Sequence, residues 1–230
     1  MPVDVVIPAL DEAASIGGVV SAVLRQPPVR SVVVVDNGSS DGTAEIARGA
    51  GARVVAEPRR GYGAACQAGI AALPPDTDVV VFLDADASDD PAELPDLVEP
   101  ILRGEADLVV GSRRLGRVEP GALTLPQRVG NRIASEWLRR RFGMDATDLG
   151  PFRAIRASAL SALGMRDPGY GWTVEMQIKA ARAGLRYVEV PVSYRRRIGR
   201  SKISGTVRGV VGASTKILGM LALYDLGGRG

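Results

Sequence analysis

The sequence predicts an α/β fold built on a mainly parallel sheet, and three observations support this prediction. Short apolar runs rich in Val and Ile alternate with helical stretches of roughly 10–15 residues, the pattern of βαβ units. Polar, glycine-containing turns follow several of these runs. A chain of 230 residues with 46% hydrophobic side chains is long enough to bury one large core.

The predicted elements follow one another without an internal repeat or a long linker, so we expect one domain. Strands are predicted at 3–7, 32–35, 52–56, 79–83, 107–111, 152–155 and 187–192. Helices are predicted at 11–24, 44–50, 64–73, 94–102, 127–142, 157–163, 174–183 and 206–226. Pro8 is expected to end the first strand, and Gly184 is a natural left-handed cap for the helix before it.

Composition excludes several kinds of chemistry. The chain contains no histidine, which excludes His-based triads, His-ligated zinc and histidine general bases. The single cysteine, Cys66, excludes an intramolecular disulfide and fits a reducing compartment. Because Cys66 lies among small residues of a predicted helix, we expect a packed thiol rather than a nucleophile.

The net charge of +3 hides a strong asymmetry along the chain. Residues 1–110 carry 18 acidic and 7 basic side chains, whereas residues 111–230 carry 8 acidic and 22 basic ones. The basic residues are nearly all arginine, which binds phosphate through two hydrogen bonds. The second half is therefore expected to bind phosphates. Nucleic acid is not favoured as a partner, because no stacking aromatic residues are interleaved with the arginines.

Asp84-Ala85-Asp86, directly after the apolar run at 79–83, is the most informative motif. Carboxylates are costly to desolvate unless they are paired or bound to a metal. At the carboxyl end of a strand, they face the crevice where open α/β sheets bind ligands. Hard oxygen ligands suit Mg²⁺ or Mn²⁺, and such ions bridge phosphate oxygens. The alternative interpretation is a solvated, Asp-rich turn without a metal.

Two glycine-containing loops also allow two interpretations each. The loop at 36–43 has Asp and Ser side chains that suit the base and ribose of a nucleotide, or it is a turn in which Ser39 or Asp41 caps the next helix. The run Arg-Arg-Gly-Tyr-Gly at 59–63 resembles a phosphate-binding loop, but it lacks the Gly-Lys-Ser/Thr of a Walker motif. A helix start packed tightly on the sheet is the favoured interpretation.

Three arginine-rich segments follow in the second half. Arg113 comes directly after a predicted strand, and Arg128 and Arg132 lie on one face of the next helix. Residues 195–202 contain five cations in eight positions. As a solvated loop this segment would repel itself, whereas a bound diphosphate or lipid phosphate would relieve the repulsion.

Five motifs occur in order along nearly the whole chain. They are Val-Ile-Pro-Ala-Leu-Asp-Glu at 6–12, Asp-Asn-Gly-Ser-Ser-Asp-Gly-Thr at 36–43, Asp-Ala-Asp at 84–86, Gly-Ser-Arg at 111–113, and Glu-Val-Pro-Val at 189–192 with Arg-Ile-Gly-Arg-Ser-Lys at 197–202. Together they resemble family 2 glycosyltransferases of the GT-A fold, most closely the dolichyl- or polyprenyl-phosphate mannose and glucose synthases. The resemblance implies a Rossmann-like three-layer sandwich with a mainly parallel, mixed sheet.

The resemblance also implies an activity and a division of the chain. The activity is metal-dependent transfer of glucose or mannose, with inversion, from a UDP- or GDP-linked donor to polyprenyl or dolichyl phosphate. Residues 1–110 would form the nucleotide and metal half, residues 111–205 the acceptor half, and residues 206–226 an amphipathic helix. Two alternatives are the same donor chemistry on a soluble acceptor, and a nucleotide-sugar-binding module without transfer activity.

Individual roles follow from the same resemblance. Asp84 and Asp86 would hold Mg²⁺ or Mn²⁺ against the donor diphosphate, with Asp86 counted as catalytic. Arg113 and Arg128 would bind the acceptor phosphate. Glu175 would lie near the acceptor, or it is a charge on a helix surface. An acceptor that is already anionic needs no strong base, which fits a chain without histidine.

The other implied site residues surround the nucleotide sugar. Two of them, Arg200 and Lys202, would close over the diphosphate as a lid. The full nucleotide-sugar set is Pro8, Leu10, Glu12, Asp36, Gly38, Asp84, Ala85, Arg200 and Lys202. Ser88 stands where many relatives carry a Gln that binds the metal, so the diphosphate and water would have to complete the metal shell.

The C-terminal helix at 206–226 bears on location and assembly. Arg208 and Lys216 interrupt its apolar run, so it is shorter than the roughly 20 apolar residues of a membrane span. It could lie on the cytoplasmic leaflet, pack on the domain, or pack on a second subunit in a homodimer. The first strand begins without a basic leader, so we expect a cytoplasmic protein, peripheral at the inner face of the membrane.

Overall fold

The computed structural model describes residues 1–199 and positions 216, 219, 220 and 224, and it has the predicted α/β architecture. The strands are β1 (Val3–Ala9), β2 (Val29–Asp36), β3 (Arg53–Ala56), β4 (Val79–Phe82), β5 (Leu108–Ser112), β6 (Arg153–Arg156) and β7 (Tyr187–Pro191). The helices are α1 (Ile16–Leu24), α2 (Thr43–Gly49), α3 (Tyr62–Ala71), α4 (Leu94–Leu102), α5 (Leu125–Phe142), α6 (Ala157–Leu163) and α7 (Trp172–Arg182).

The seven strands form one mixed sheet in the order β3-β2-β1-β4-β6-β5-β7. β6 is antiparallel to both of its neighbours, β4 and β5, and every other pair is parallel. Strands from before and after residue 110 therefore share one sheet. The single reversed strand places the acceptor half predicted at 111–205 directly beside β4, which precedes Asp84.

The sheet is covered on both faces, which makes three layers. One buried cluster joins the sheet to α1, α2 and α4, and the other joins it to α3, α5, α6 and α7. β4 is buried along its whole length. In α1, Ile16, Val19, Val20 and Val23 face the core with the helical spacing that the sequence indicates.

Two predicted boundaries near the amino terminus are wrong. β1 runs through Pro8 to Ala9, because its pairing with β4 covers only Val3–Val6, so a proline beyond that point removes no hydrogen bond to β4. α1 begins at Ile16 rather than at residue 11. Asp11 has φ of +50°, and its backbone N–H is bound by a side chain from another loop, so it cannot start a helix.

The segment at 59–63 is tightly packed, but against a loop rather than the sheet. The N–H groups of Gly63 and Ala64 donate to the carbonyls of Gly169 and Pro168 at 3.2 and 2.9 Å. A Cβ on Gly63 would lie 1.9 Å from the Asp167 carbonyl oxygen. These N–H groups are therefore already used by protein, which favours the packing interpretation over a phosphate site.

Most of the helix predicted at 206–226 lies outside the described residues. Its four described positions are helical. Lys216 pairs with Asp167 at 2.8 Å, and the Arg182 guanidinium lies 5.1 Å from the centre of the Tyr224 ring. Among the helices of the described part of the chain, none is long and apolar enough to cross a membrane.

The Gly63 contact gives a stability prediction. Gly63→Ala is expected to lower the free energy of unfolding by about 2 kcal/mol, because the new Cβ would clash with backbone that cannot move independently. Gly18→Ala is the matched control: Gly18 is an exposed helical glycine with nothing within 4 Å, so alanine should raise stability by about 0.5–1 kcal/mol. Urea denaturation measures both, and equal effects of the two substitutions would contradict the packing account.

Candidate active site

The polar segments of interest meet at one edge of the sheet. Residues 10–13, 37–42, 83–90 and 113 follow β1, β2, β4 and β5, whose carboxyl ends point the same way. The helix after β1 lies on one face of the sheet and the helix before β4 on the other. This is the switch point where ligands bind in open α/β sheets.

The loop after β2 holds the loop after β1. The Asp11 N–H donates to Ser39 Oγ and the Glu12 N–H to Thr43 Oγ1, both at 2.9 Å. Of the two predicted caps, Ser39 is wrong, because its hydroxyl is used in this contact. The Asp41 carboxylate does accept from the N–H of Thr43, the first residue of α2, at 3.2 Å, although the cap position itself is Gly42. The loop after β2 therefore positions the backbone at Asp11 and Glu12.

The predicted nucleotide residues lie along this same edge. Asp36 is the last residue of β2, and its carboxylate accepts from the Ser39 N–H at 3.0 Å. Gly38 has φ of +83° and faces the Arg60 guanidinium, 3.5 Å from where a Cβ would stand. Pro8 is the second-last residue of β1, and Leu10 directly follows the strand.

Asp84, Ala85 and Asp86 form a largely buried acidic turn after β4. Asp86 is 6% exposed, and its carboxylate accepts from the Ser88 N–H at 3.0 Å. Burial and the charge of Asp86 raise the pKa of Asp84 to about 7, against the opposing effects of Arg113 and Arg197. The solvated-turn interpretation is therefore wrong, because these carboxylates are held close together and largely out of water.

A third acidic residue, Asp89, adds to this charge. Asp89 is 2% exposed, and burial together with Asp84 raises its pKa well above the ordinary value. Its carboxylate oxygens have no hydrogen-bond partner among the described residues. Nearby cations relieve the repulsion within such a cluster.

The basic segment after β7 lies directly across the acidic turn. Arg195 N–H donates to the Ser88 carbonyl at 2.8 Å and Ile198 N–H to the Asp86 carbonyl at 2.9 Å. Arg197 pairs with Asp86 at 3.1 Å and also with Glu12. One guanidinium thus connects the predicted metal ligand with the predicted nucleotide residue. The predicted lid residues Arg200 and Lys202 lie outside the described residues, further along this segment.

Arg113 is fixed by a buried ion pair. Its Nε and one terminal nitrogen donate to the two oxygens of Asp148 at 2.8 and 2.6 Å, and its guanidinium lies 5.0 Å from the centre of the Tyr194 ring. Glu189 on β7 in turn accepts from the backbone N–H groups of Thr147 and Asp148. Asp148, itself held by Glu189, thus fixes the Arg113 guanidinium near the acidic turn.

Arg128 lies apart from this pair, in the first turns of α5. Its side chain is exposed. One turn further, Asn131 donates to the Thr147 carbonyl and accepts from the Leu149 N–H, which ties α5 to the loop that holds Arg113. The helix begins at Leu125 because Thr124 and Gln127 form a reciprocal cap and Pro126 is tolerated in the first turn.

Glu175 is buried rather than on a helix surface, so that alternative is wrong. Its carboxylate accepts from the N–H groups of Arg166 and Asp167 and pairs with Lys179 at 2.7 Å. It therefore anchors the loop that packs on the start of α3. Cys66, also buried, has its thiol pKa raised by burial, as expected of a packed thiol.

The arrangement fits a divalent cation at the acidic turn. Two carboxylates of like charge, close together and drawn to the Arg197 guanidinium, are a site that a metal ion would stabilise. Within the described residues, no group of three or more Asp, Glu, Cys or His side chains is placed to hold a metal. Sequence reasoning missed Asp148, Tyr194 and Arg197; only Arg197 carried a signal, as part of the cationic run at 195–202.

A mixed sheet with an acidic turn at its switch point, facing arginines, agrees with the resemblance to glycosyltransferases of the GT-A fold. A sequence profile of glycosyl transferase family 2 matches residues 4–164, and the chain belongs to this family. It is 42% identical over 212 residues to an uncharacterized glycosyltransferase of Mycobacterium tuberculosis, which covers 91% of this chain and 93% of that protein. It is 32% identical to the undecaprenyl-phosphate mannosyltransferase of Micrococcus luteus, with 98% and 97% covered.

A solved structure is also similar. Glucosyl-3-phosphoglycerate synthase of Mycobacterium tuberculosis, in complex with Mn²⁺, UDP-glucose and phosphoglyceric acid, matches with a TM-score of 0.79 and 27% identity. The match covers 97% of this chain and 79% of that one. The predicted GT-A fold is thereby confirmed, and the metal in that structure agrees with the predicted Mg²⁺ or Mn²⁺ cofactor.

The Arg113–Asp148 pair gives a second stability prediction. Asp148→Ala is expected to lower the free energy of unfolding by about 3–5 kcal/mol, because it leaves a guanidinium whose side chain is 13% exposed without its counter-charge. Glu99→Ala, in the exposed Arg103–Glu99 pair, should change it by at most about 0.5 kcal/mol. Urea denaturation of both variants checks this, and a small effect at Asp148 would show that the pair is not structural.

Proposed function

We propose that this protein transfers a hexose, glucose or mannose, from a UDP- or GDP-linked donor to polyprenyl phosphate, with inversion. The observation that carries the proposal is the buried Asp84–Asp86 turn facing Arg113 and the arginine-bearing segment after β7 at one sheet edge. Similarity to the undecaprenyl-phosphate mannosyltransferase of Micrococcus luteus and the dolichyl-phosphate hexose transferase of Haloferax volcanii supports the choice of acceptor.

Asp84 and Asp86 would hold Mg²⁺ or Mn²⁺ beside the donor diphosphate. When bound, the metal neutralises charge that develops on the leaving nucleoside diphosphate. Arg197 contacts both Asp86 and Glu12, which supports a role for its guanidinium beside the same diphosphate. Arg200 and Lys202, further along the segment, would add contacts to it.

The acceptor chemistry requires no general base. A phosphate oxygen of the acceptor would attack the anomeric carbon while the bond from that carbon to the nucleoside diphosphate breaks, and the diphosphate leaves as an anion. One displacement of this kind inverts the anomeric centre. Arg113 and Arg128 would bind the acceptor phosphate. Glu175 would act as a positioning residue, because its oxygens are committed to backbone N–H groups and Lys179.

A soluble phosphorylated acceptor is the second candidate. It is favoured by the similarity to glucosyl-3-phosphoglycerate synthase, whose structure holds phosphoglyceric acid. Both acceptors present a phosphate, so the arginines alone do not separate them. Incubation with labelled UDP-glucose or GDP-mannose, Mn²⁺, and either polyprenyl phosphate or phosphoglyceric acid distinguishes them by the product formed. Tight donor binding without any product would instead indicate a binding module.

The metal assignment predicts loss of transfer in Asp86→Asn. This variant keeps the size of the side chain but removes the charge, so kcat/KM should fall by at least about a hundredfold. Asp76→Asn is the matched control, because Asp76 is an exposed acidic residue that precedes β4, whereas the acidic turn follows the carboxyl end of that strand. Release of the nucleoside diphosphate measures both. Wild-type turnover of Asp86→Asn with unchanged Mn²⁺ dependence would overturn the assignment.

The acceptor assignment predicts a selective effect in Arg128→Gln. Loss of one charged hydrogen bond should raise KM for polyprenyl phosphate by roughly tenfold to a hundredfold and leave donor binding unchanged. Arg139→Gln, which changes another exposed arginine of α5, should leave KM unchanged. A short-chain polyprenyl phosphate in solution keeps membrane effects out of the measurement. An equal effect of the two variants would remove Arg128 from the acceptor site.

A further inference from the structure

α5 is apolar on two opposite sides. Ala134, Ser135 and Leu138 face the core. On the outward side, an exposed apolar stripe consists of Leu125, Val129 and Ile133, which are 74%, 48% and 46% exposed. At about 100° per residue, Val129 lies roughly opposite Leu138. A surface helix ordinarily presents polar residues on the side away from the core, so this stripe needs an apolar partner.

Positive charge surrounds the stripe. α5 carries five arginines and one acidic residue, Glu136. Arg128 is three residues from Leu125, and Arg132 is three residues from Val129, so both arginines are surface neighbours of the stripe. An open groove of about 670 Å³ runs along the same helix, and it is lined by Ile133, Trp137, four of the arginines and Glu136. Glu136 pairs with Arg139 and Arg140, so the groove keeps an excess of positive charge. The partner should therefore be both apolar and negatively charged.

We propose that the outward face of α5 docks on an anionic lipid bilayer. The apolar stripe would enter the boundary between headgroups and acyl chains, and the arginines would bind lipid phosphates. Because Asn131 ties α5 to the loop that holds Arg113, docking would bring a lipid-borne phosphate to the acceptor side of the active site. That consequence rests on the proposed function, whereas the docking itself does not.

Two other occupants fit the observations less well. The described positions of the C-terminal segment contact Asp167, Gly171 and Arg182, not the stripe. A second copy of the chain would present the same face in a symmetric dimer, so its arginines would lie against the arginines of the first copy. An anionic bilayer supplies the apolar surface and the opposite charge together.

Vesicle flotation of the full chain tests the proposal without donor or acceptor. Wild-type protein is expected to bind phosphatidylcholine vesicles that contain phosphatidylglycerol and not those of phosphatidylcholine alone. Val129→Ser with Ile133→Ser should weaken binding by roughly tenfold or more. Arg132→Gln with Arg140→Gln should weaken it by about thirtyfold, from about fivefold for each basic residue.

Matched controls lie on the opposite face of the sheet. Ile46→Ser with Leu102→Ser removes apolar residues that are 41% and 37% exposed on α2 and α4 and should leave vesicle binding unchanged. Arg48→Gln with Arg103→Gln removes two positive charges from that face and should also leave vesicle binding unchanged. All substituted residues are exposed, and a thermal melt verifies that each variant folds.

Three outcomes would overturn the proposal. The first is that the wild type does not bind the vesicles, and the second is that the Val129→Ser, Ile133→Ser variant binds them as tightly as the wild type. The third is that light scattering shows a wild-type dimer that this variant converts to a monomer, which would assign the face to a second copy. Vesicle binding without sugar transfer would contradict the proposed function alone, and transfer without vesicle binding would contradict only this inference.

Discussion

The carboxylates after β4 are the constraint on which the rest of the site depends. Asp84, Asp86 and Asp89 are brought together with little access to water, and burial together with the neighbouring negative charges raises the pKa of Asp84 and of Asp89. Two cations lie near these carboxylates: Arg113, which follows β5, and Arg197, which follows β7. A nucleotide-sugar site has the same requirement, since a divalent ion and arginines must together balance a diphosphate. The charges that stabilise the fold here are thus the charges that donor binding would use.

The cations are held by parts of the chain far from β4 in sequence. Glu189 on β7 fixes the loop at 147–148, Asp148 fixes Arg113, and the segment at 194–198 hydrogen-bonds to 86–88. The reversed strand β6 makes this arrangement possible, because it turns the basic half of the chain back against β4. In the folded protein, the acidic turn from the first half of the sequence is contacted by an arginine-rich segment from the second half. Glu175 accepts from backbone N–H groups of the loop at 166–169, and this loop packs on the start of α3.

Several motifs that suggest ligand binding prove to serve the architecture. Ser39 and Thr43 bind the backbone of the loop after β1, and the glycines at 61 and 63 admit the carbonyls of Asp167 and Pro168. Conversely, the arginines of α5, which suggest phosphate binding, lie around an exposed apolar stripe that the sequence analysis did not identify. The short motifs therefore predicted which edge of the sheet carries the candidate site, but they did not predict which atoms each side chain contacts.

The sequence by itself determined the fold class, the family and the position of the acidic turn, because apolar periodicity and the order of the five motifs are local features. It determined α4 and α6 to the residue, since their apolar spacing and turn residues agree. Only the tertiary structure decided the start of α1, the partner of Arg113, the burial of Glu175 and the bridge from Arg197 to Asp86 and Glu12. Each of these depends on groups dozens of residues apart, such as Asp11 with Ser39 or Arg113 with Asp148, and no local pattern encodes which distant polar group a side chain will meet.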